Sequence, residues 1–501
     1  MSLNSINMKF ILIRPPVVHL KADFYGSIPG IPSGIAYLAA SVRDAGYDVG
    51  IIDAYGEDPH RFYTFRKRYR ARGLTPSEIA DRVPEDAVAG VSVHCASEHS
   101  MSLEIVRELK RRSPGRPVLV GGYHTTFVPE DFVEAGADFV VLGEGENRVP
   151  ALLSHIEGTT ELNTLDGVVT ADVFLDRKTK YILDLDSQPF AAVDLLPLEN
   201  YWKLGYGHGP TMRGVRYMNI LTSRGCPYKC SFCQAPQMCG GHWLARSAGK
   251  VLEELQFYKD RYGVTDFHLQ DENFAIDRKR VEDICHGIID RKMNITFTFP
   301  SGLKMETLDE KLLELLAQAG CRYFSLSPES GSKRVLKLMN KTADIERVPR
   351  LIKKASELGM ATCCFFVAGT PGEIPSDRSE TRAYIRKLAG AGVEEVVMPI
   401  MTPFPDTPSM QSPELQGFSE LDELCFSPVW RKDYTKLDRF RNGTYYHYYF
   451  TRLLYHPVSF VKMLWRMFTG KCRTKGEMTA RRIVRDAVDK FVSIKEKPVN
   501  P

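Results

Sequence analysis

Residues 221–236 read LTSRGCPYKCSFCQAP and set Cys226, Cys230 and Cys233 in a C-x3-C-x2-C array. Three thiolates from one short loop can converge on a cubane cluster. A [4Fe–4S] cluster normally takes four cysteines, so three leave one iron open to an outside ligand, as a catalytic metal site requires. Zinc is the competing reading; it wants a fourth ligand, and Cys239 and His242 are the nearby candidates. No run reaches the roughly 18 apolar residues needed to cross a bilayer. The apolar run Phe10–Ile13 ends in Arg14 and two prolines, too short for a signal-peptide core and better read as a buried first strand. The expectation is a cytoplasmic protein, and clustered cysteines in a reducing compartment bind metal more often than they form disulfides.

Outward from the array, strand-like and helix-like segments alternate from about residue 216 to about 402. A separate alternation fills residues 9–155. Its strand-like pieces are Lys9–Arg14, Val49–Ile52, Ala87–Val93, Pro117–Val120 and Phe139–Leu142, with helical periodicity over Ser33–Asp44 and Met101–Arg112. Such alternation predicts a parallel sheet with helices on both faces, and ligands of such sheets bind at the carboxyl-end loops. Small-residue loops stand there: Gly121-Gly122 and Gly143-Glu144-Gly145. The basic stretch RFYTFRKRYRARG (61–73) reads as a solvated helix face, and residues 156–215 as a linker of turn-bounded pieces. The chain has 501 residues, too many for one ordinary core, so two or three domains are expected. A net charge of +4 is small for this length and gives no case for nucleic acid binding.

The array resembles the signature of the radical S-adenosylmethionine (SAM) superfamily, C-x3-C-x-aromatic-C, with Phe232 at the aromatic position. The resemblance implies that SAM chelates the open iron and that an electron from the cluster cleaves its C5′–S bond to give a 5′-deoxyadenosyl radical. Three further segments match in order. DFHLQDENF carries Asp271 and Glu272 where the family holds the SAM amino group. RYFSLSPESGS carries Glu329, implied to accept from the ribose hydroxyls, with Ser327 and Ser330 to assist. CCFFVAGTPGE carries Gly369 at a turn that lets backbone approach SAM, followed by VVMPIMTPFPDTP, which is similar to the family's sixth strand and its loop.

Residues 1–155 resemble the cobalamin-binding module of part of that superfamily, through R-P-P after the first strand and the segments GVSVHCASEHS, GGYHTTFVPE and LGEGE. The resemblance implies corrin contacts from Ser92, Gly121, Gly122, His124, Gly143 and Gly145. His124 has a plain alternative as a satisfied loop histidine, and a flavodoxin-like or nucleotide-binding domain is the alternative for the sheet as a whole. The D-x-H-x-x-G motif that supplies a histidine below cobalt in many such domains is absent, and the neighbours of His19 do not match it.

The expected architecture is α/β. It has a doubly wound, Rossmann-like cobalamin-binding domain (1–155), a linker (156–215), a partial (β/α)6 radical SAM barrel with a [4Fe–4S] cluster (216–410) and a helical C-terminal region (411–501). The function implied is a cobalamin-dependent radical SAM enzyme that methylates an unactivated carbon of a natural-product, lipid or tetrapyrrole-like small molecule. It would draw electrons from a flavodoxin or ferredoxin. A cyclase or ring-rearranging enzyme with the same cofactors is the alternative, and a cluster-containing binding or regulatory protein without turnover the alternative of another class. No side chain is assigned a catalytic role. The aromatic and basic stretch 445–473 is expected near the barrel mouth, as a packed lid or a peripheral membrane contact.

Overall fold

A computed structural model of the chain describes residues 8–21, 30–172, 181–205, 207–211, 216–482 and 484. Its contacts divide the chain into two bodies. The first is Met1–Leu204, Ser223–Lys250 and Met401–Tyr434; the second is Gly205–Thr222, Val251–Ile400 and Thr435–Pro501.

In the first body, Lys9–Arg14 forms a central strand, β1. Side chains alternate across a strand, so β1 serves two cores. Phe10 and Leu12 pack with Ile35, Ala39 and Val42 of helix α1 (Ser33–Asp44). Ile11 and Ile13 pack on the other face with Ile105 and Leu109 of helix α2 (His99–Arg112). The remaining strands are β2 (Asp48–Asp53), β3 (Val88–Ser92), β4 (Val118–Gly121), β5 (Phe139–Val141) and β6 (Val168–Val169). Their order is β2-β1-β3-β4-β5-β6, parallel except for β6. This is a doubly wound sheet whose strand order reverses between β1 and β3, the place where such folds open a crevice.

The stretch read as a linker packs on this sheet. It supplies β6, and its helix Leu198–Leu204 buries Tyr201, whose hydroxyl donates to Asp53 at 2.6 Å. The basic stretch is no helix face. Phe62–Phe65 and Tyr69–Arg72 form a hairpin that extends Val17–Leu20 into a three-stranded antiparallel sheet. Its aromatic and threonine residues favour a pleated surface, which outweighs the charge pattern.

In the second body six parallel strands follow in chain order: β7 (Tyr217–Ile220), β8 (Asp266–Leu269), β9 (Thr296–Leu303), β10 (Cys321–Glu329), β11 (Ala361–Phe366) and β12 (Glu395–Val397). Helices connect them, and local chemistry sets their ends. Asp277 and Asp309 cap Arg278–Asp290 and Glu310–Ala319 by accepting from the backbone N–H of Arg280 and Leu312. β7 and β8 are buried at every residue, as a parallel sheet under helices requires.

The tail corrects the expectation placed on it. Helix α3 (Tyr434–Tyr455) and helix α4 (Pro457–Thr469) follow β12. Tyr445 accepts from Met398 N–H just beyond the carboxyl end of β12, but the chain then runs to the opposite end of the strands. The Tyr448 hydroxyl and the Arg452 guanidinium donate to the carbonyls of Val393 and Glu394, which precede β12, and Arg473 donates to the carbonyl of Gly359, which precedes β11. So 445–473 is not a lid over the carboxyl-end loops. Its cationic donors satisfy carbonyls at the amino ends of the strands, a preference that the aromatic density of the sequence does not reveal.

Candidate functional site

The cysteine loop belongs to the first body. Cys226, Cys230 and Cys233 are all partly accessible, and Phe232 between them is half-buried. The loop folds on itself through Cys233 N–H to the Cys230 carbonyl, 3.2 Å. Gly225 has a φ of +87° and its missing Cβ would lie 2.3 Å from the carbonyl oxygen of His242, so only glycine fits ahead of the first cysteine. The same absent atom would lie 3.1 Å from Cys239 Sγ, which places Cys239 against the backbone of the loop. Among the described residues no three His, Cys, Asp or Glu side chains converge as ligands of one ion. A cubane asks for something else, since each thiolate takes its own iron corner. The donor set suits that group: three accessible thiols share one loop, while Cys285, Cys321, Cys363 and Cys364 are buried, with the Cys285 thiol pushed up to about 12 by burial.

Arg224, two residues before Cys226, anchors this loop. Its guanidinium donates to Glu144 Oε1 at 2.9 Å and Glu146 Oε1 at 2.6 Å, with all three side chains largely buried. Glu144 also accepts from Ile182 N–H at 2.8 Å. Burial alone would raise the Glu146 carboxyl, but the charge and hydrogen bond of Arg224 outweigh it and hold the group below its usual range. Neither glutamate was among the expected site residues. They lie about eighty positions from Arg224, and no local pattern ties them to it.

The loop holding those glutamates also holds Gly143 and Gly145. Gly143 N–H donates to Thr126 Oγ1 at 2.9 Å. Ser92 pairs with Gly121 in the β3–β4 register, and Gly121 with Val141 in the β4–β5 register, so Ser92, Gly121 and the Gly143 loop stand at one carboxyl edge. Gly122 turns with a φ of +113° over Val93, whose carbonyl a Cβ would meet at 2.5 Å. This edge carries glycine and serine where a flat macrocycle would have to lie close to backbone, and so fits a corrin. His124 stands apart: it is buried, with Nε2 3.1 Å from Nδ1 of His99, and His99 in turn reaches Asp131 at 3.3 Å. Burial pulls the His99 and His124 imidazoles down to about 4 and about 3, which favours their neutral forms.

Of the residues expected to bind SAM, Phe232 lies in the cysteine loop of the first body, and Asp271, Glu272, Ser327, Glu329 and Gly369 lie in the second, at the carboxyl ends of its strands. Asp271 is buried and accepts from Thr222 N–H (2.9 Å) and Thr222 Oγ1 (2.6 Å), which fixes the end of β7 against that of β8; Glu272 beside it is exposed. Glu329 ends β10, its backbone carbonyl accepting from Val367 N–H at 2.9 Å just past β11. Its carboxylate meets Lys341 Nζ at 2.9 Å. Glu329 has a φ of +61°, a left-handed conformation that costs a non-glycine residue about 1–3 kcal/mol and is kept where a side chain must be aimed. Ser327 is half-buried near Gly302, and Gly369 N–H donates to Glu373 at 2.8 Å, closing its turn. A buried, aimed carboxylate beside a glycine turn suits a ribose diol. Glu329→Gln should weaken SAM binding roughly ten- to hundredfold by equilibrium dialysis, the worth of one charge-assisted hydrogen bond, with iron content unchanged; unchanged affinity would remove the assignment.

Comparison with known proteins matches two segments of the chain. The family model of the radical SAM superfamily matches residues 220–406 and that of the B12 binding domain residues 28–153. An uncharacterized methyltransferase of Pyrococcus horikoshii is 28% identical over 438 residues, 86% of this chain and 87% of that protein. Cytidylyl-2-hydroxyethylphosphonate methyltransferase of Streptomyces wedmorensis is 25% identical over 460 residues, 85% of each chain. Among solved structures, the radical SAM methyltransferase TsrM of Kitasatospora setae, with cobalamin and a [4Fe–4S] cluster bound, superposes with a TM-score of 0.62 at 20% identity, over 81% of this chain and 74% of that one, a likeness of fold. The cysteine loop, the small-residue edge of a doubly wound sheet and the six-stranded parallel sheet thus have one common explanation: this chain belongs to the radical SAM enzymes that carry an N-terminal B12-binding domain, with a [4Fe–4S] cluster, SAM and cobalamin as their cofactors.

Proposed function

We propose that this enzyme is a C-methyltransferase acting on an unactivated carbon of a small molecule. The observation that carries the reading is the Arg224 clamp, which fastens the cysteine loop to the loop bearing Gly143 and Gly145 and so builds the cluster loop and the corrin edge into one body. The methyltransferases to which the chain is similar support it.

When bound, the cluster and SAM supply a carbon-centred radical, and cobalamin supplies a methyl group on a weak cobalt–carbon bond. The chain's own residues bind and orient. Cys226, Cys230 and Cys233 would hold three irons of the cluster, and Phe232 between them would contact SAM. Glu329, with Ser327 and Gly369, would hold the nucleoside of SAM, Glu272 its amino group, and Asp271 would brace the end of β7 through Thr222. Ser92, Gly121, Gly122, Gly143 and Gly145 would hold the corrin, with His124 beside them. On this reading 1–155 is the corrin-binding domain and 216–410 the radical SAM domain. Electrons would come from a flavodoxin or ferredoxin, and the tail would make a peripheral contact with a membrane.

Anaerobic protein reconstituted with iron, sulfide and hydroxocobalamin, then given SAM and a reductant, should form both 5′-deoxyadenosine and S-adenosylhomocysteine. 5′-Deoxyadenosine without S-adenosylhomocysteine would overturn methyl transfer in favour of ring-forming chemistry; neither product would overturn turnover itself.

A further inference from the structure

The tail helices are inside out for a water-facing surface. On α3, Tyr446, Phe450, Leu453 and Leu454 recur at helical spacing and face outward, with Tyr446 77% and Phe450 60% exposed. The inward side of the same helix buries Thr444, Thr451 and Arg452 together with Leu437 and Tyr448. On α4, Val458, Val461, Trp465 and Phe468 form a second outward stripe, with Phe468 85% and Trp465 69% exposed, and Met463 is its buried residue. The two helices are pinned together by Arg452 donating to Ser459 at 3.2 Å and by the Tyr449 and Phe460 rings, whose centroids are 6.5 Å apart. A contiguous apolar face of this kind marks an interaction site.

We propose that this face docks on the surface of an anionic lipid bilayer. Charge selects the occupant. From residue 439 to residue 476 the sequence has eight lysines and arginines and no aspartate or glutamate; Arg441, Arg466 and Arg473 are taken up by Asp438, Glu394 and Glu477, and Arg452 by backbone carbonyls. Lys462 and Lys471 are exposed beside the apolar stripes. A second copy of the chain would set Lys462 and Lys471 against the same cations on the same face, whereas anionic headgroups meet them and acyl chains cover the rings. Tyrosine and tryptophan with a wet and an apolar edge suit that boundary. No described helix is long and apolar enough to cross a membrane, so the pair lies in the headgroup layer. The contact is an anchor and no part of the SAM site: within its body the pair is tied to the amino ends of β11 and β12, while Glu329 and Gly369 stand at the carboxyl ends of their strands.

The inference deepens the peripheral contact in the proposed function, and its test is read without methyl transfer. Full-length reconstituted protein is floated with vesicles of phosphatidylcholine alone or mixed with phosphatidylglycerol. It should rise with the anionic vesicles at low salt and stay behind at high salt. Lys462→Glu combined with Lys471→Glu should weaken partitioning about 25-fold or more, taking about fivefold for each lost cation. Trp465→Ser combined with Phe468→Ser should abolish flotation, and both variants should cleave SAM as the wild type does. Failure to float while SAM is still cleaved overturns the anchor and leaves the chemistry standing. Equal flotation on neutral vesicles overturns the role of charge. A dimer in sedimentation that Phe468→Ser dissociates would make this face a self-association surface instead.

Discussion

Cys226→Ala, Cys230→Ala and Cys233→Ala should each reduce iron loading from about four per chain, the content of a cubane, to a small residue and abolish SAM cleavage. Two thiolates cannot hold a cluster that already leaves one iron open. The remaining cysteines provide the contrast. Cys363 and Cys364 lie buried in β11, where burial raises both thiols, and Cys239 packs against the backbone of Gly225. Cys239→Ala, Cys363→Ala and Cys364→Ala should therefore keep their iron and their absorption in the visible range. The decisive variant is Cys239→Ala. If it loses its metal, and zinc is found in stoichiometric amount in the wild type, the cluster assignment is wrong and the loop is a zinc site.

Arg224→Ala should cost about 3–5 kcal/mol in unfolding free energy, read as a shift in urea midpoint, because it leaves two buried carboxylates facing each other without a counter-charge. Glu144 and Glu146 are both bonded to the one guanidinium, and water reaches little of either. The triple variant Arg224→Met, Glu144→Gln, Glu146→Gln should regain most of that loss, since replacing all partners removes the uncompensated charge. The clamp also joins two loops, so in Arg224→Ala iron loading and hydroxocobalamin affinity should fall together, whereas a cysteine variant loses iron alone. The pH dependence has a definite sign. The folded state holds Glu146 below its ordinary range, so the stability it contributes is present above the unfolded carboxylate range and is lost as pH falls through the folded value. A wild-type midpoint for Arg224→Ala would show that the pair is solvated and carries neither loop.

Much of the molecule is legible along the chain, because much of it is decided by near neighbours. The unbroken apolar run Phe10–Ile13 within Lys9–Arg14 specifies a strand buried on both faces, and β1 is that strand. Three cysteines within eight residues can only be brought together by their own loop, so the array is readable without any long-range contact. Glu329 is recognisable because it ends a strand in an ordered run of matching segments.

What the sequence leaves open depends on groups far apart in the chain. Arg224 finds Glu144 and Glu146 across about eighty residues, and nothing near any of the three says so. The basic stretch 61–73 has the charge of a solvated helix, yet pairing with Val17–Leu20 makes it a hairpin. The aromatic tail announces an apolar face, but only the carbonyls of Gly359, Val393 and Glu394, offered at the amino ends of two strands, decide where Tyr448, Arg452 and Arg473 are held. The sequence by itself determined most of the strands and helices and the two cofactor-bearing folds, because periodicity and short motifs act over a few residues. The tertiary structure alone decided which loop anchors the cysteines and which face the tail presents, because an ion pair or a buried donor is placed by the partner that folding brings to it.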